Sequence, residues 1–210
     1  MFESRVFTQN DKELSYVIDF PKDFDEGKKY PVIFYFHGMG MVRTSIENVK
    51  KTVPVRRERM TDDMPFIIVA PHCVCYTWIE CFETLTDFVD YIIEQEYVDD
   101  KRVYMTGSSM GGYTCWAMAV MYPKKFAGAV ICCGGGMYFA AGRIKFPVWA
   151  FHGKLDTTVL PRESEILVNL INASGGNAKL TLLEDHGHDV WTTAYSSHDT
   201  YDWLLSQSKK

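Results

Sequence analysis

The sequence predicts an α/β fold in which a mostly parallel β-sheet is covered by helices on both faces. Short apolar runs rich in β-branched and aromatic residues alternate along the chain with segments that have a helical apolar period. A glycine-rich turn with two serines follows one of these runs and precedes an apolar helix. Strands separated by helices form parallel βαβ units, and the sheet that they build needs a cover on each face.

Eight strands and four helices are predicted. The strands cover residues 5–8, 15–19, 32–36, 66–70, 103–106, 129–132, 148–151 and 179–183. The helices cover residues 84–95, 113–121, 162–173 and 197–205. In the first helix Leu85, Phe88 and Ile92 share one face, and the second ends before Pro123, which cannot continue it. Ligands of such a sheet bind at the carboxyl ends of its strands.

The composition predicts one globular domain over residues 1–210, because the chain is 47% hydrophobic and 23% charged. The net charge of -5 argues against a nucleic-acid partner, since phosphate binding requires clustered cations. The basic cluster at residues 50–59 is interpreted as the exposed face of a helix interrupted at Pro54. Residues 1–20 carry charges throughout, which predicts neither a signal peptide nor a membrane span, and the chain is expected to be cytoplasmic.

The six cysteines lie mostly within or beside apolar segments, which predicts reduced, buried thiols and no disulfide scaffold. Cys73, Cys75 and Cys81 lie near His72 in the chain. Their spacing lacks the paired arrangement of structural zinc sites, so we predict no metal and no cofactor.

The turn at residues 106–112, Thr-Gly-Ser-Ser-Met-Gly-Gly, has the pattern of a nucleophile elbow. In this G-x-S-x-G pattern the serine sits on a strained turn between a strand and a helix, and small flanking residues let neighbouring backbones approach. Gly107 and Gly111 flank Ser109 at the required positions. A pattern centred on Ser108 would put a threonine and a methionine where glycines are needed, so Ser109 is the candidate nucleophile.

A serine nucleophile needs a histidine to accept its proton and a carboxylate to orient that histidine. The candidate carboxylate is Asp156, which follows the predicted strand at residues 148–151. Asp185 and Asp189 flank the histidines too closely in the chain to approach the imidazole from behind.

Two histidines follow the last predicted strand, and we choose His188 as the base, with His186 as the alternative. Gly187 would let the loop turn the His188 ring towards the serine, and Trp191 would anchor the far side of the ring. The remaining histidines near strand and helix ends, His152 and His198, are interpreted as structural.

The oxyanion formed during acyl transfer needs backbone N–H donors. One predicted donor is the N–H of Met110, which follows the nucleophile, and the other is the N–H of Met39 in the turn at residues 37–40. The candidate residues thus follow four predicted strands whose carboxyl ends meet at one edge of the sheet.

Together these motifs resemble those of α/β-hydrolase serine esterases, in the branch labelled predicted peptidase or phospholipase/carboxylesterase and related to polyhydroxybutyrate-depolymerase-like and feruloyl esterases. The matching segments are residues 30–38, 70–73, 106–112 and 149–153, with Asp156, Gly187, His188 and Trp191. The family's catalytic serine, aspartate and histidine match Ser109, Asp156 and His188. The sequence departs from the pattern at His72, where glutamine is more frequent, and at Leu160, where valine-proline commonly follows the aspartate loop.

The resemblance implies hydrolysis of a carboxylic ester through an acyl-enzyme. No segment between the predicted strands is long enough for a large lid domain, so an open site is expected. This favours short acyl groups, or acetyl- and feruloyl-type esters carried by carbohydrates. The residues predicted to line the substrate site are His37, Gly38, Trp78, Met137 and Trp191.

Three other functions are weighed against the esterase. A peptidase, or a lysophospholipase or thioesterase, would use the same fold and the same three residues. A non-catalytic binding module is the least favoured interpretation, because the three residues and the glycines of the turn at residues 37–40 are intact. The expected partner is a small-molecule or carbohydrate ester, and a homodimer is compatible with the sequence.

Overall fold

The computed structural model describes residues 2–60 and 64–209. In this part of the chain eight strands form one sheet in the order β1-β2-β4-β3-β5-β6-β7-β8. The strands are β1 (Glu3–Gln9), β2 (Lys12–Asp19), β3 (Tyr30–Phe36), β4 (Ile67–Pro71), β5 (Val98–Ser108), β6 (Gly128–Cys132), β7 (Val148–Gly153) and β8 (Ala178–Leu183). The pairs β1–β2 and β2–β4 are antiparallel, and all other neighbouring pairs are parallel.

Six α-helices in the same residues flank this sheet. They are α1 (Ile46–Thr52), α2 (Phe82–Ile93), α3 (Met110–Met121), α4 (Arg162–Ala173), α5 (Trp191–Ser196) and α6 (His198–Leu205). Shorter 3₁₀ turns cover Met39–Met41, Arg57–Arg59 and Tyr138–Arg143. None of the helices in the described ranges has the length and apolarity needed to cross a bilayer.

The predicted elements are confirmed, with differences at their ends and two additions. All eight predicted strands and all four predicted helices are present. β5 begins at Val98, five residues before the predicted start at Val103. The prediction missed its first half because those residues are mostly charged and show no apolar run. The additional helices α1 and α5 have seven and six residues, too few for a helical period to show in the sequence.

The basic cluster at residues 50–59 is only in part the exposed helix face that the sequence predicts. As expected, the helical turns are interrupted around Pro54, between α1 and the 3₁₀ turn at Arg57–Arg59. Arg57, however, is not on a solvated face. Its Nε lies 3.0 Å from a carboxylate oxygen of the buried Asp19, and its guanidinium donates to the carbonyl of Phe66 at 2.8 Å.

The core consists of two apolar layers, one on each face of the sheet. In β3 the side chains of Val32, Phe34 and Phe36 pack on the face covered by α2, α3 and α4. Those of Ile33 and Tyr35 pack on the face covered by α1, α5 and α6. Because both faces are covered, the whole strand is buried, and each large apolar side chain contributes about 1.5–3 kcal/mol.

The parallel register brings the ends of the central strands to one edge. Phe36 at the end of β3 pairs with Gly107 near the end of β5, and Ser108 pairs with Cys132 at the end of β6. β7 ends at Gly153 beside Leu183 of β8. Residues that follow these strands therefore start from neighbouring positions on the same edge.

Candidate active site

The turn after β5 holds Ser109 in a strained backbone conformation. β5 ends at Ser108, α3 begins at Met110, and Ser109 between them has φ 56° and ψ -118°. Positive φ is unfavourable for a residue with a side chain, and such strain persists only when the surrounding structure enforces it. The Ser109 N–H donates to the carbonyl of Cys132 at 3.0 Å, which ties the turn to β6.

Two glycines let the backbones around this turn come close together. A Cβ atom on Gly111 would lie 1.8 Å from the carbonyl oxygen of Phe36, and one on Gly107 would lie 2.5 Å from the carbonyl oxygen of Gly111. No side chain can be accommodated at such distances. The glycine spacing of the motif therefore has a direct physical cause, the packing of α3 against the ends of β3 and β5.

The structure brings Ser109, His188 and Asp156 together. His188 Nε2 lies 2.8 Å from Ser109 Oγ, and His188 Nδ1 lies 2.7 Å from Asp156 Oδ2. In this arrangement the imidazole N–H at Nδ1 donates to the carboxylate, and Nε2 accepts from the serine hydroxyl. The three side chains have the geometry required for a serine to transfer its proton to histidine.

Hydrogen bonds keep the buried Asp156 ionised. Burial opposes ionisation, but the hydrogen bond to His188 and the backbone N–H groups of Val159 and Thr158 outweigh it and lower the pKa of the carboxyl group. The two N–H groups donate to Asp156 Oδ1 at 3.0 and 2.8 Å, which leaves Oδ2 for the imidazole.

His152, interpreted from the sequence as structural, supports the loop that carries Asp156. It is fully buried, with Nε2 2.9 Å from the carbonyl oxygen of Val159 and Nδ1 2.8 Å from Ser164 Oγ. Burial lowers its pKa, so the ring is neutral. It donates from Nε2 to Val159 and accepts from Ser164 at Nδ1, which fixes the residues that follow Asp156.

His186, the alternative base, forms its hydrogen bond with a residue outside the Ser109–His188–Asp156 group. Its Nε2 lies 3.0 Å from Thr193 Oγ1. The ring of His188 instead packs edge-on against Trp191, with 5.7 Å between centroids. The glycine that lets this loop pack is Gly153, where a Cβ atom would lie 2.0 Å from the carbonyl oxygen of Gly187. At Gly187 itself a Cβ would meet nothing within 4 Å, so the structure does not require a glycine there, whereas the expected contact of His188 with Trp191 is present.

Hydrogen bonds of the His37 side chain fix the turn after β3. The ring is neutral, because burial lowers its pKa to about 4. Its Nε2 accepts from the N–H of Cys73 at 3.0 Å, and its Nδ1 donates to the carbonyl of Gly38 at 2.9 Å. The indole N–H of Trp78 donates to the His37 carbonyl at 3.0 Å. Three hydrogen bonds thus fix the start of the turn.

Each predicted oxyanion donor begins a helical turn. Met110 is the first residue of α3, and Met39 is the first residue of the 3₁₀ turn Met39–Met41. The first N–H groups of a helix have no acceptor within it, which leaves them free to bind an anionic oxygen. Both turns adjoin Ser109, since Gly38 lies against the Ser109 side chain.

Two cavities flank Ser109, and together they include all five residues predicted to line the substrate site. The smaller, of about 440 Å³, contains His37, Gly38 and Trp191 among its lining residues, together with His188. The larger, of about 840 Å³, contains Trp78 and Met137. Ser109 and Met39 line both cavities and therefore separate them.

Trp78 and His37 line these cavities from buried positions, with 0% and 1% of their surface exposed. Their polar atoms bond within the protein, so a direct contact with substrate stays a prediction. Sequence reasoning missed several residues of the larger cavity, among them Phe82, Tyr113 and Met121. Tyr113 could have been found from its spacing, because it lies one helical turn after Ser109 on α3.

One group of residues in the described ranges has ligating atoms that converge as a metal ion requires. It is Cys133, Asp156 and His188, whose ligating atoms lie within 4.8 Å of one another. Two of its members belong to the proton-transfer geometry around Ser109. Cys73, Cys75 and Cys81 do not form such a group with His72.

Comparison with known proteins finds both esterases and peptidases. The profile of the prolyl oligopeptidase family matches residues 79–135, which include the elbow but neither Asp156 nor His188. A probable feruloyl esterase C of Aspergillus terreus is 26% identical over 60% of this chain and 48% of its own length. Dipeptidyl-peptidase 5 of Porphyromonas gingivalis is 25% identical over 97% of this chain and 37% of its own length.

Among solved structures, a thermostable esterase superposes with a TM-score of 0.88 and 27% identity, over 99% of this chain and 63% of the other. The chain spans less than half the length of the two curated relatives just described. These similarities confirm the α/β-hydrolase fold and the resemblance to serine esterases that the sequence predicts.

The assignment of the base can be tested with a fluorophosphonate probe, which reacts with an activated serine. We expect His188→Ala to slow labelling of Ser109 by roughly 10³-fold or more, because His188 Nε2 is the group positioned to accept the serine proton. His186→Ala, the matched control, should label close to the parent rate. The rates are measured by mass spectrometry of the intact protein. Slow labelling of His186→Ala with fast labelling of His188→Ala would assign the base to His186.

The buried neutral His37 makes stability depend on pH. Its pKa is about 4 in the folded protein and about 6.5 when unfolded. At pH values between about 4 and 6.5 the unfolded chain binds a proton at His37 that the folded protein does not. The free energy of unfolding therefore decreases by about 3 kcal/mol as the pH falls from about 6.5 to 4.

We expect His37→Gln to lose this part of the pH dependence, since glutamine does not titrate. Urea unfolding at pH 7.5 and pH 4.5 measures it, with the exposed His198→Gln as the control. The prediction fails if His37→Gln loses as much stability between the two pH values as the control does.

Proposed function

We propose that this chain, an α/β-hydrolase of the serine-esterase type, hydrolyses carboxylic esters through an acyl-enzyme formed on Ser109. The observation that carries the proposal is the hydrogen-bonded series Ser109–His188–Asp156 beside two helical turns that begin at Met110 and Met39. Such a set can activate a hydroxyl and stabilise the oxyanion that follows its attack.

In the proposed mechanism Ser109 Oγ attacks the ester carbonyl while His188 Nε2 accepts the hydroxyl proton. The N–H groups of Met110 and Met39 stabilise the oxyanion. His188 then protonates the departing alkoxide, which leaves as the alcohol, and the acyl group stays on Ser109. A water molecule, deprotonated by His188, releases the acid in the second half. Asp156 remains ionised throughout and holds the imidazole in the required tautomer.

The two cavities can be assigned to the two halves of the ester. The alcohol must lie within reach of the proton on His188 Nε2, and His188 lines the smaller cavity. The acyl group then occupies the larger cavity, next to Met110. Phe82, Trp78 and Tyr113 make this cavity aromatic and apolar, and its volume of about 840 Å³ is far more than an acetyl group needs.

This assignment favours a bulky or aromatic acyl group over a short one. Within the ester classes expected from the sequence, it supports the feruloyl type more than the acetyl type. The similarity to a feruloyl esterase supports the same choice. The smaller cavity remains for the alcohol, which a carbohydrate would supply from the open side of the site.

A peptidase is the second candidate function. The prolyl oligopeptidase family match and the similarity to a dipeptidyl-peptidase favour it, since the same three residues can cleave an amide. It ranks below the esterase because an extended peptide needs a long surface for its alignment, and the larger cavity is apolar and compact.

Parallel kinetics on esters and amides test the proposal. We expect methyl ferulate and p-nitrophenyl butyrate to be hydrolysed, and aminoacyl-p-nitroanilides to be left intact. Ser109→Ala should lower kcat by roughly 10⁴ to 10⁶, whereas the adjacent Ser108→Ala should retain most of the activity. Faster cleavage of the anilides than of the esters would establish the peptidase instead.

The acyl assignment can be tested by filling the larger cavity. Ala117 lines it from a partly exposed position on α3, so a larger side chain can be introduced without disturbing the core. We expect Ala117→Phe to lower kcat/KM for methyl ferulate by about tenfold or more and to leave p-nitrophenyl acetate nearly unchanged. Ala117→Ser is the control. An equal loss on both esters would contradict the assignment.

A further inference from the structure

Two thiols lie close together in the segment that joins β4 to α2. Cys73 follows the end of β4, Cys81 directly precedes α2, and their Sγ atoms are 3.9 Å apart. Neither thiol has a role in the proposed ester hydrolysis. A disulfide has an S–S distance of about 2.05 Å, so the two sulfurs would have to approach by about 1.9 Å to form one.

Trp78 anchors the segment between them, but other side chains of this segment are loosely packed, which leaves room for this adjustment. Val74, Tyr76 and Ile79 are each more than half exposed, so little packing holds their side chains. Cys81 is partly exposed and Cys73 is buried, which gives a small oxidant access to one of the two sulfurs. The hydrogen bond between the thiols lowers the pKa of Cys73 and raises that of Cys81, which favours the thiolate at Cys73.

The same segment forms one wall of the larger cavity. Thr77, Trp78 and Ile79 lie between the two cysteines and line that cavity, as does Phe82 directly after Cys81. Trp78 also donates its indole N–H to the His37 carbonyl. A covalent bond across the base of the segment would restrict the movement of this wall.

We propose that Cys73 and Cys81 form a reversible disulfide that tightens the wall of the larger cavity. Cys81, the accessible thiol of the pair, loses its proton as its sulfur attacks a low-molecular-weight disulfide, which forms a mixed disulfide and releases one small thiol. The Cys73 thiolate then attacks the Cys81 sulfur and displaces the second small thiol. The two cysteines are oxidised to one disulfide, and the small disulfide is reduced to two thiols.

The bond itself can be tested without a substrate. The purified full chain is incubated with oxidised glutathione, alkylated and cleaved after Glu80, which separates Cys81 from Cys73 and Cys75. We expect a cross-link between Cys73 and Cys81, an alkylated Cys75, and full reversal by dithiothreitol. Cys75→Ser, the matched control, should form the same bond, whereas Cys81→Ser should not.

Three results would overturn the proposed bond: no cross-link, a bond that includes Cys75, or stable glutathione adducts on the thiols. Cys81→Ser changes a partly exposed side chain, so a folding defect is not expected, and its thermal unfolding in the reduced state checks this point.

The effect on the cavity rests on the proposed esterase function and is measured separately. Oxidation should lower kcat/KM for methyl ferulate by about threefold or more, leave p-nitrophenyl acetate unchanged, and have no effect in Cys81→Ser. Equal rates before and after oxidation would contradict the tightening of the wall. A chain without esterase activity would contradict the proposed function, and the cross-link measurement would still decide the disulfide.

Discussion

The candidate site depends on the close approach of three backbones at the end of β5. Ser109 keeps its positive φ because α3 packs directly against the end of β3, where the carbonyl of Phe36 occupies the space that a side chain on Gly111 would need. Strain of this kind costs about 1–3 kcal/mol, and the apolar layers on both faces of the sheet offset it. The position of the nucleophile is therefore set by the packing of the backbone around Ser109.

Buried polar side chains hold the loops of the site in place through hydrogen bonds. His37 and His152 are both neutral and buried, and each connects two segments through its two ring nitrogens. Asp156 is equally buried but ionised, because it receives two backbone N–H groups and the imidazole of His188. The different protonation states follow from the hydrogen-bond partners that each group finds. Donors and acceptors are thus oriented before a substrate arrives, which is the condition for stabilising a developing charge.

Much of the fold and the positions of the candidate residues could be read from the sequence, because they depend on local patterns. Apolar periodicity identified every strand of the sheet, and the glycine frame selected Ser109 over Ser108. Local patterns failed where the element was short, as for α1 and α5, or where its apolar character was interrupted, as at the charged start of β5. They also gave Gly187 a role that belongs to Gly153, since the clash that requires a glycine arises between β7 and a loop more than thirty residues away.

By itself the sequence determined the types of the elements, their order, and which serine, aspartate and histidine follow the strand ends. Only the tertiary structure decided how these residues meet. The division of the site into two cavities, the support of His37 by Cys73 and Trp78, and the approach of the Cys73 and Cys81 sulfurs all involve atoms brought together by packing. The distances between these atoms are set by the order of the strands in the sheet and by the path of the connecting loops. Neither can be predicted from a pattern of residues that are neighbours in the chain.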